Sequence, residues 1–184
     1  MLLILNFTAF QIGWFSSVIG GAREMPWLGP LAALIALAIH FHFARRPRQE
    51  FMLILSCALI GAAFDSALVA VGWVQYSSGL FNEYMAPYWI ITMWMLFGTT
   101  LNVSMRWLRG REKLAALFGL AGGPMAYIAG EKLGGIIFVN EFAALGALGI
   151  GWAAMMPVLL RLSEMFDGMS ELEAGASRAA DSRI

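Results

Sequence analysis

The chain has 184 residues, of which 60% are hydrophobic and 13% charged. A soluble domain carries about 25% charged residues, so soluble enzymes, secreted disulfide domains, disordered proteins and nucleic-acid binders are all disfavoured, and an all-α polytopic membrane bundle is left. Twelve Lys and Arg balance twelve Asp and Glu, and the single Cys57 permits neither an internal disulfide nor a cysteine-built metal site.

Uncharged runs long enough to cross a bilayer, about 20 residues each, predict six transmembrane helices at about 2–22, 26–43, 51–73, 86–107, 114–130 and 141–161. The first run has no basic flank and no cleavage site, so it reads as a structural helix rather than a signal peptide. Small and polar residues mark the faces that pack in lipid. Helical spacing aligns Asn6, Gly13, Ser17 and Gly20 on the first helix, and Gly29, Ala33, Ala36 and His40 on the second. On the third it aligns Ala58, Gly61, Ala62, Asp65 and Gly72, and on the fourth Thr92, Thr99, Asn102 and Arg106. The fifth aligns Gly119, Gly123, Ala126 and Gly130, with Pro124 expected to kink it. The sixth aligns Gly146, Gly149 and Ala153. Residues 133–140 are apolar but too short to span, and are expected as a re-entrant or interfacial piece or as an extension of the fifth helix. From Ser163 onward a polar tail is expected to fray and become disordered. Gly29-Pro30-Leu31-Ala32 and Gly123-Pro124-Met125-Ala126 are alike, but their depths do not match under inversion, so no inverted repeat is expected.

Orientation follows Lys and Arg rather than net charge. Arg45, Arg46, Arg48, Arg106, Arg109, Arg111, Lys113, Arg161, Arg178 and Arg183 fall on one side, against Arg23 and Lys132 on the other. Both termini are therefore expected in the cytoplasm.

Asp65 is the one acid that this topology places far from a membrane surface. A carboxylate at that depth costs about 2.5–3.5 kcal/mol on insertion scales. It suits a proton carrier, an acid–base group or a substrate anchor, and equally a hydrogen-bonded packing residue. Gln11, Thr92 and Tyr127 are its expected neighbours by depth. Thr99, Asn102 and Arg106 suggest a polar pocket that opens to the cytoplasm and takes an anionic head group; interfacial anchoring by Arg106 is the plainer alternative. His40 points inward and His42 outward, so the pair cannot chelate one ion, and no metal site is expected. The sequence names neither a catalytic residue nor a cofactor.

Several stretches carry a resemblance. They are Gln11-Ile12-Gly13-Trp14-Phe15, Pro26-Trp27-Leu28-Gly29-Pro30, Phe64-Asp65-Ser66, Gly122-Gly123-Pro124-Met125-Ala126-Tyr127 and, most specific, the run from Thr99-Thr100-Leu101-Asn102 to Arg106-Trp107-Leu108. From Phe10 to Leu162 the chain resembles the bacterial integral-membrane proteins grouped as domain of unknown function 2878. The resemblance implies a place in a bacterial inner membrane, and assigns no reaction and no residue role. It implies genomic company with cyclopropane-fatty-acid-synthase-like methyltransferases and flavin oxidoreductases, and through them lipid or fatty-acyl modification, which is association rather than mechanism.

Three functions are therefore expected. The first is lipid or fatty-acyl handling, with a chain held between helices and a head group near Arg106 and Asn102. The second is a small proton-coupled transporter using Asp65. The third is a scaffold that recruits soluble partners through Arg109 to Lys113 and the tail. Membrane lipids are the expected partners, a homo-oligomer is possible, and nucleic acid is not expected.

Overall fold

The computed structural model describes residues 1–170. Among them are six α-helices: α1 (Leu2–Ala22), α2 (Leu28–Phe43), α3 (Pro47–Ala70), α4 (Tyr88–Leu101), α5 (Glu112–Lys132) and α6 (Glu141–Met165). A short 3-10 turn occupies Arg106–Leu108, and two three-residue strands, β1 (Val74–Tyr76) and β2 (Ile136–Phe138), lie between helices. The fold is all-α apart from this strand pair. α1, α3, α5 and α6 are long and apolar enough to cross a membrane, whereas α2 and α4 have 16 and 14 residues.

Local chemistry sets the helix ends. Pro47 starts α3, where its missing N–H costs nothing. Asn140 caps α6 by accepting a bond from the Ala143 amide at 3.2 Å. At the end of α4 the hydroxyls of Thr99 and Thr100 bond back to the carbonyls of Leu96 and Phe97 at 2.7 and 2.6 Å, competing with the helical ladder. The Met105 amide then closes a turn on the Thr100 carbonyl at 2.8 Å.

Several boundaries differ from expectation for these reasons. The third helix starts at Pro47 and ends at Ala70, the fifth runs from Glu112 to Lys132 with Pro124 inside it, and the sixth continues to Met165. The fourth stops at Leu101, so Asn102 is its C-cap and Arg106 lies off the helix on the 3-10 turn. The expected stripe through Thr92, Thr99, Asn102 and Arg106 is thus broken. Residues 133–140 do not extend the fifth helix, which ends at Lys132; they contain β2. The described part of the expected tail is folded: Ser163 is buried within α6, and residues 166–170 pack back on the bundle. Residues 171–184 lie outside the described residues.

The strands disclose a repeat, though not an inverted one. Both α3 and α5 end in a glycine with left-handed backbone, Gly72 at φ 74° and Gly134 at φ 86°, a conformation that side chains disfavour. Each glycine leads two residues later into a strand, and the strands pair antiparallel with Gln75 opposite Ile137. α3–β1–α4 and α5–β2–α6 are therefore two helix–strand–helix units whose first helices run the same way. Residues 62 apart correspond between those helices: Glu50 with Glu112, Gly61 with Gly123, Asp65 with Tyr127, and Gly72 with Gly134. Each unit also seats a tryptophan of its second helix on the glycine of its first. A Cβ on Gly61 would come within 1.9 Å of the Trp94 ring, and one on Gly123 within 2.3 Å of Trp152. The two indoles stack on each other with centroids 4.7 Å apart. The α1–α2 hairpin packs against α4, outside this repeat.

Candidate functional site

Five of the residues expected from the sequence, Asp65, Tyr127, His40, Asn102 and Arg106, fall into two polar clusters. The first is centred on Asp65, which has no exposed surface. Its Oδ1 accepts the hydroxyls of Tyr127 at 2.5 Å and Tyr76 at 2.7 Å, and its Oδ2 accepts the Trp94 indole N–H at 2.6 Å. Three donors from β1, α4 and α5 converge on the two oxygens, an arrangement suited to a carboxylate buried without a cation. The Asp65–Tyr127 bond joins equivalent positions of the two units. Of the three expected neighbours only Tyr127 is present. Gln11 is half-buried on α1 and bonds to none of the cluster, and the Thr92 hydroxyl donates to the carbonyl of Trp89 on its own helix.

The second cluster lies at the opposite end of the bundle from the strands. Its centre is Glu50, also without exposed surface, so Asp65 is not the one deeply buried acid. His40 Nε2 stands 2.7 Å from Glu50 Oε2, while Oε1 accepts from Asn102 Nδ2 at 2.5 Å and from the Gly168 amide at 2.7 Å. Arg109 donates to the Asn102 side-chain oxygen, to Ser163 Oγ and carbonyl at 3.1 and 2.9 Å, and to Asp167 at 2.7 Å. Arg106 also donates to Asp167, and Arg46 reaches the Asp167 carbonyl at 2.6 Å. The Gly168 carbonyl accepts from the amides of Arg45 and Arg46. Burial alone would raise the Asp167 carboxyl. The Arg109 hydrogen bond, the Met169 amide, the Arg109 charge and Arg106 outweigh it and hold the group below the usual carboxylate range. Thr99 sits apart from both clusters: Asn6 donates to its carbonyl at 3.1 Å and accepts from Ser104 at 2.8 Å, which ties α1 to the turn after α4.

Tyr76, Trp94, Glu50, Ser163 and Asp167 are not among the site residues expected from the sequence, and Arg109 is expected there only as part of a partner-recruiting segment. The signal for Asp65's main partner was the 62-residue spacing that lays it on Tyr127. The signal for Glu50 was its match with Glu112 together with its position in the first turn after Pro47.

Between the clusters is a cavity of about 220 Å³. It lies between α1 and α5, with α4 and α6 behind, and its wall includes Phe10, Trp14, Phe97, Phe118, Gly122 and Ala126. Trp94 and Tyr127 also line it, so these two rings stand between the cavity and Asp65. Toward the strands the lining residues Val18, Ile90 and Ile136 are buried. Toward the other end Met105 and Phe118 are partly exposed. The cavity is thus sealed at the strand end and opens sideways and toward the basic end.

The repeat explains the hollow. Gly122 and Ala126 occupy the positions that Ile60 and Phe64 hold in the first unit. At the matching junction Phe64 fills the space and lies against α6, where a Cβ on Gly151 would meet its ring at 2.3 Å. Across the cavity, Ala126 leaves that volume open.

A family model described as "Protein of unknown function (DUF2878)" matches residues 3–158. The chain belongs to this family. The match covers α1 to α5, both strands and most of α6, and so contains the cavity and the Asp65 cluster whole; Ser163 and Asp167 lie beyond it. No curated protein and no solved structure matches the chain. Among the described residues no group of three or more His, Cys, Asp or Glu side chains is placed to hold a metal ion.

Proposed function

We propose that the protein is a bacterial inner-membrane bundle of six spans with both termini cytoplasmic, and that it handles lipid by holding an acyl chain in the cavity between α1 and α5. The orientation rests on the ten-to-two division of Lys and Arg. The two short helices are compatible with six spans. α4 is enclosed by α1, α2 and α3, so neighbouring protein rather than lipid covers most of its surface.

The observation that carries the function is the cavity itself. It is walled almost wholly by aromatic, aliphatic and methionine side chains and by glycine. It is also flanked by two helices that do not pack along each other. A gap between helices facing lipid admits a hydrocarbon chain from the side. Its 220 Å³ falls below the roughly 300–1,000 Å³ of drug-sized pockets, which suits a length of one chain and not a whole phospholipid. Asp65 has no contact with the cavity in this reading. It is a positioning residue that holds Trp94 and Tyr127 in the wall.

The test uses residues that the protein already carries elsewhere in the repeat. Gly122→Ile and Ala126→Phe install the side chains of Ile60 and Phe64. A Cβ at Gly122 meets nothing closer than the Phe118 ring at 3.8 Å, so the side chain of the first change starts into open space. Lipids extracted from purified protein and quantified by mass spectrometry are expected to include a bound acyl species that both variants lack. The same lipid content in wild type and variants would overturn the reading.

A further inference from the structure

We infer that the occupant of the cavity is a single-chain amphiphile with an anionic head group, met by Arg106 at the open end. The inference rests on the acyl-chain reading and adds a head-group class and a recognising residue. The lining along α1, from Phe10 to Val18, spans about 12 Å at 1.5 Å per residue, so a chain lies along the bundle and not across it. Its terminal methyl belongs at the strand end, which Val18, Ile90 and Ile136 close with apolar groups. Its head belongs at the other end, where Met105 is the last lining residue and Arg106 follows it directly.

The chemistry of that end separates its candidates. Asn102 is 1% exposed, and both polar atoms of its side chain are engaged by Glu50, the Phe166 carbonyl and Arg109. Arg109 bonds through all three guanidinium nitrogens to Ser163, Asp167 and Asn102. Arg106 differs from both. Its side chain is 40% exposed and bonds through one nitrogen to Asp167, which leaves further guanidinium donors for a carboxylate or phosphate. Beside it, Trp107 is half-exposed and packs edge-on against Phe118 of the cavity wall, at 6.4 Å between centroids. An exposed indole next to a cation suits the level where head groups meet chains. The head group expected from the sequence near both Arg106 and Asn102 is therefore assigned to Arg106 alone.

The test is quenching of the cavity tryptophans Trp14, Trp94 and Trp152 by a fatty acid brominated near its methyl end, compared with the methyl ester of the same acid. The full chain is used in nanodiscs of zwitterionic lipid, at an alkaline pH that ionises the acid. Wild type is expected to bind the acid about fivefold more tightly than the ester, the worth of one partly exposed charge contact. Arg106→Gln is expected to abolish that preference by weakening acid binding, and its near-ultraviolet circular dichroism shows that the variant is folded. Equal binding of acid and ester by wild type would overturn the head-group inference and leave the acyl-chain reading standing. Quenching by neither probe would overturn the acyl-chain reading itself. A brominated lysophosphatidate separates phosphate from carboxylate heads: binding at least as tight as the ester keeps the proposal, and its rank against the acid names the head. Release of the bound acid by inorganic phosphate alone would overturn the amphiphile in favour of a bare-anion site.

Discussion

The two helix–strand–helix units are built alike and packed differently. In each, a tryptophan lies on a glycine and a left-handed glycine turns the helix into a strand. Where the first unit meets α6, Phe64 against Gly151 fills the junction; where the second meets α4, Ala126 and Gly122 leave a cavity. The lesson is that this cavity is local in origin. The corresponding positions of the first unit carry larger side chains and are filled, so the hollow beside α1 depends on the small residues at 122 and 126.

The sharpest way to break the comparison is to cut the bond that ties the units together. Asp65→Ala leaves the hydroxyls of Tyr76 and Tyr127 and the Trp94 N–H without their acceptor, and should cost about 4 kcal/mol or more. Unfolding in detergent, followed by near-ultraviolet circular dichroism of the tryptophans, would measure it; a loss under about 1 kcal/mol would mean that the cluster carries little of the fold. Next in size, Gly61→Ala and Gly123→Ala each push a Cβ into an indole ring and should cost about 1–3 kcal/mol. Equal losses in the same assay would support the equivalence of the two sites, and a loss at one alone would refute it.

A smaller effect of opposite sign is expected from filling the hollow. Gly122→Ile replaces a helical glycine and buries new apolar surface, so the unfolding midpoint should rise by an amount worth about 1 kcal/mol. A fall would show that the cavity is not free to accept a side chain. The smallest effect is electrostatic. The Asp167 carboxyl is held below its usual range, so the folded state binds its proton less tightly than the unfolded state does. Its stabilisation is present above about pH 4 and fades as pH falls through the lowered value. Between neutral and acid pH the wild-type unfolding midpoint should fall further than that of Asp167→Asn, and parallel curves would refute the assignment.

Much of the packing was legible in the sequence. The stripe Gly29, Ala33, Ala36 and His40 is the whole buried set of α2, and Asn6, Gly13, Ser17 and Gly20 are all buried on α1. Small residues are informative here because apolar ones line both the inside and the lipid face. The failures have separate physical causes. Glu50 lies near the end of its helix, and it is buried because residues 166–170 fold back over it. Arg106 was placed on a helix that the side chains of Thr99 and Thr100 terminate early. Tyr76 and β2 were missed because strands of three residues carry no periodic signal, and only pairing across the chain defines them. The roles of Asp65, Asn102 and Arg106 had no signal at all beyond their rarity in an apolar chain.

The partners of Asp65 arrive late in the chain, and this bears on how the protein is made. When α3 leaves the ribosome, Tyr76 follows within a few residues, but Trp94 belongs to the next helix and Tyr127 to the one after. The strand pair cannot close until Ile136–Phe138 have been synthesised. α3 must therefore enter the membrane with at most one of its three donors in place, at a cost that later helices relieve. Synthesis stalled before α5 should leave α3 shallow or bound to an insertion factor, and synthesis past β2 should lock it in. The Asp65 cluster is thus complete only when β1, α4 and α5 are all in place.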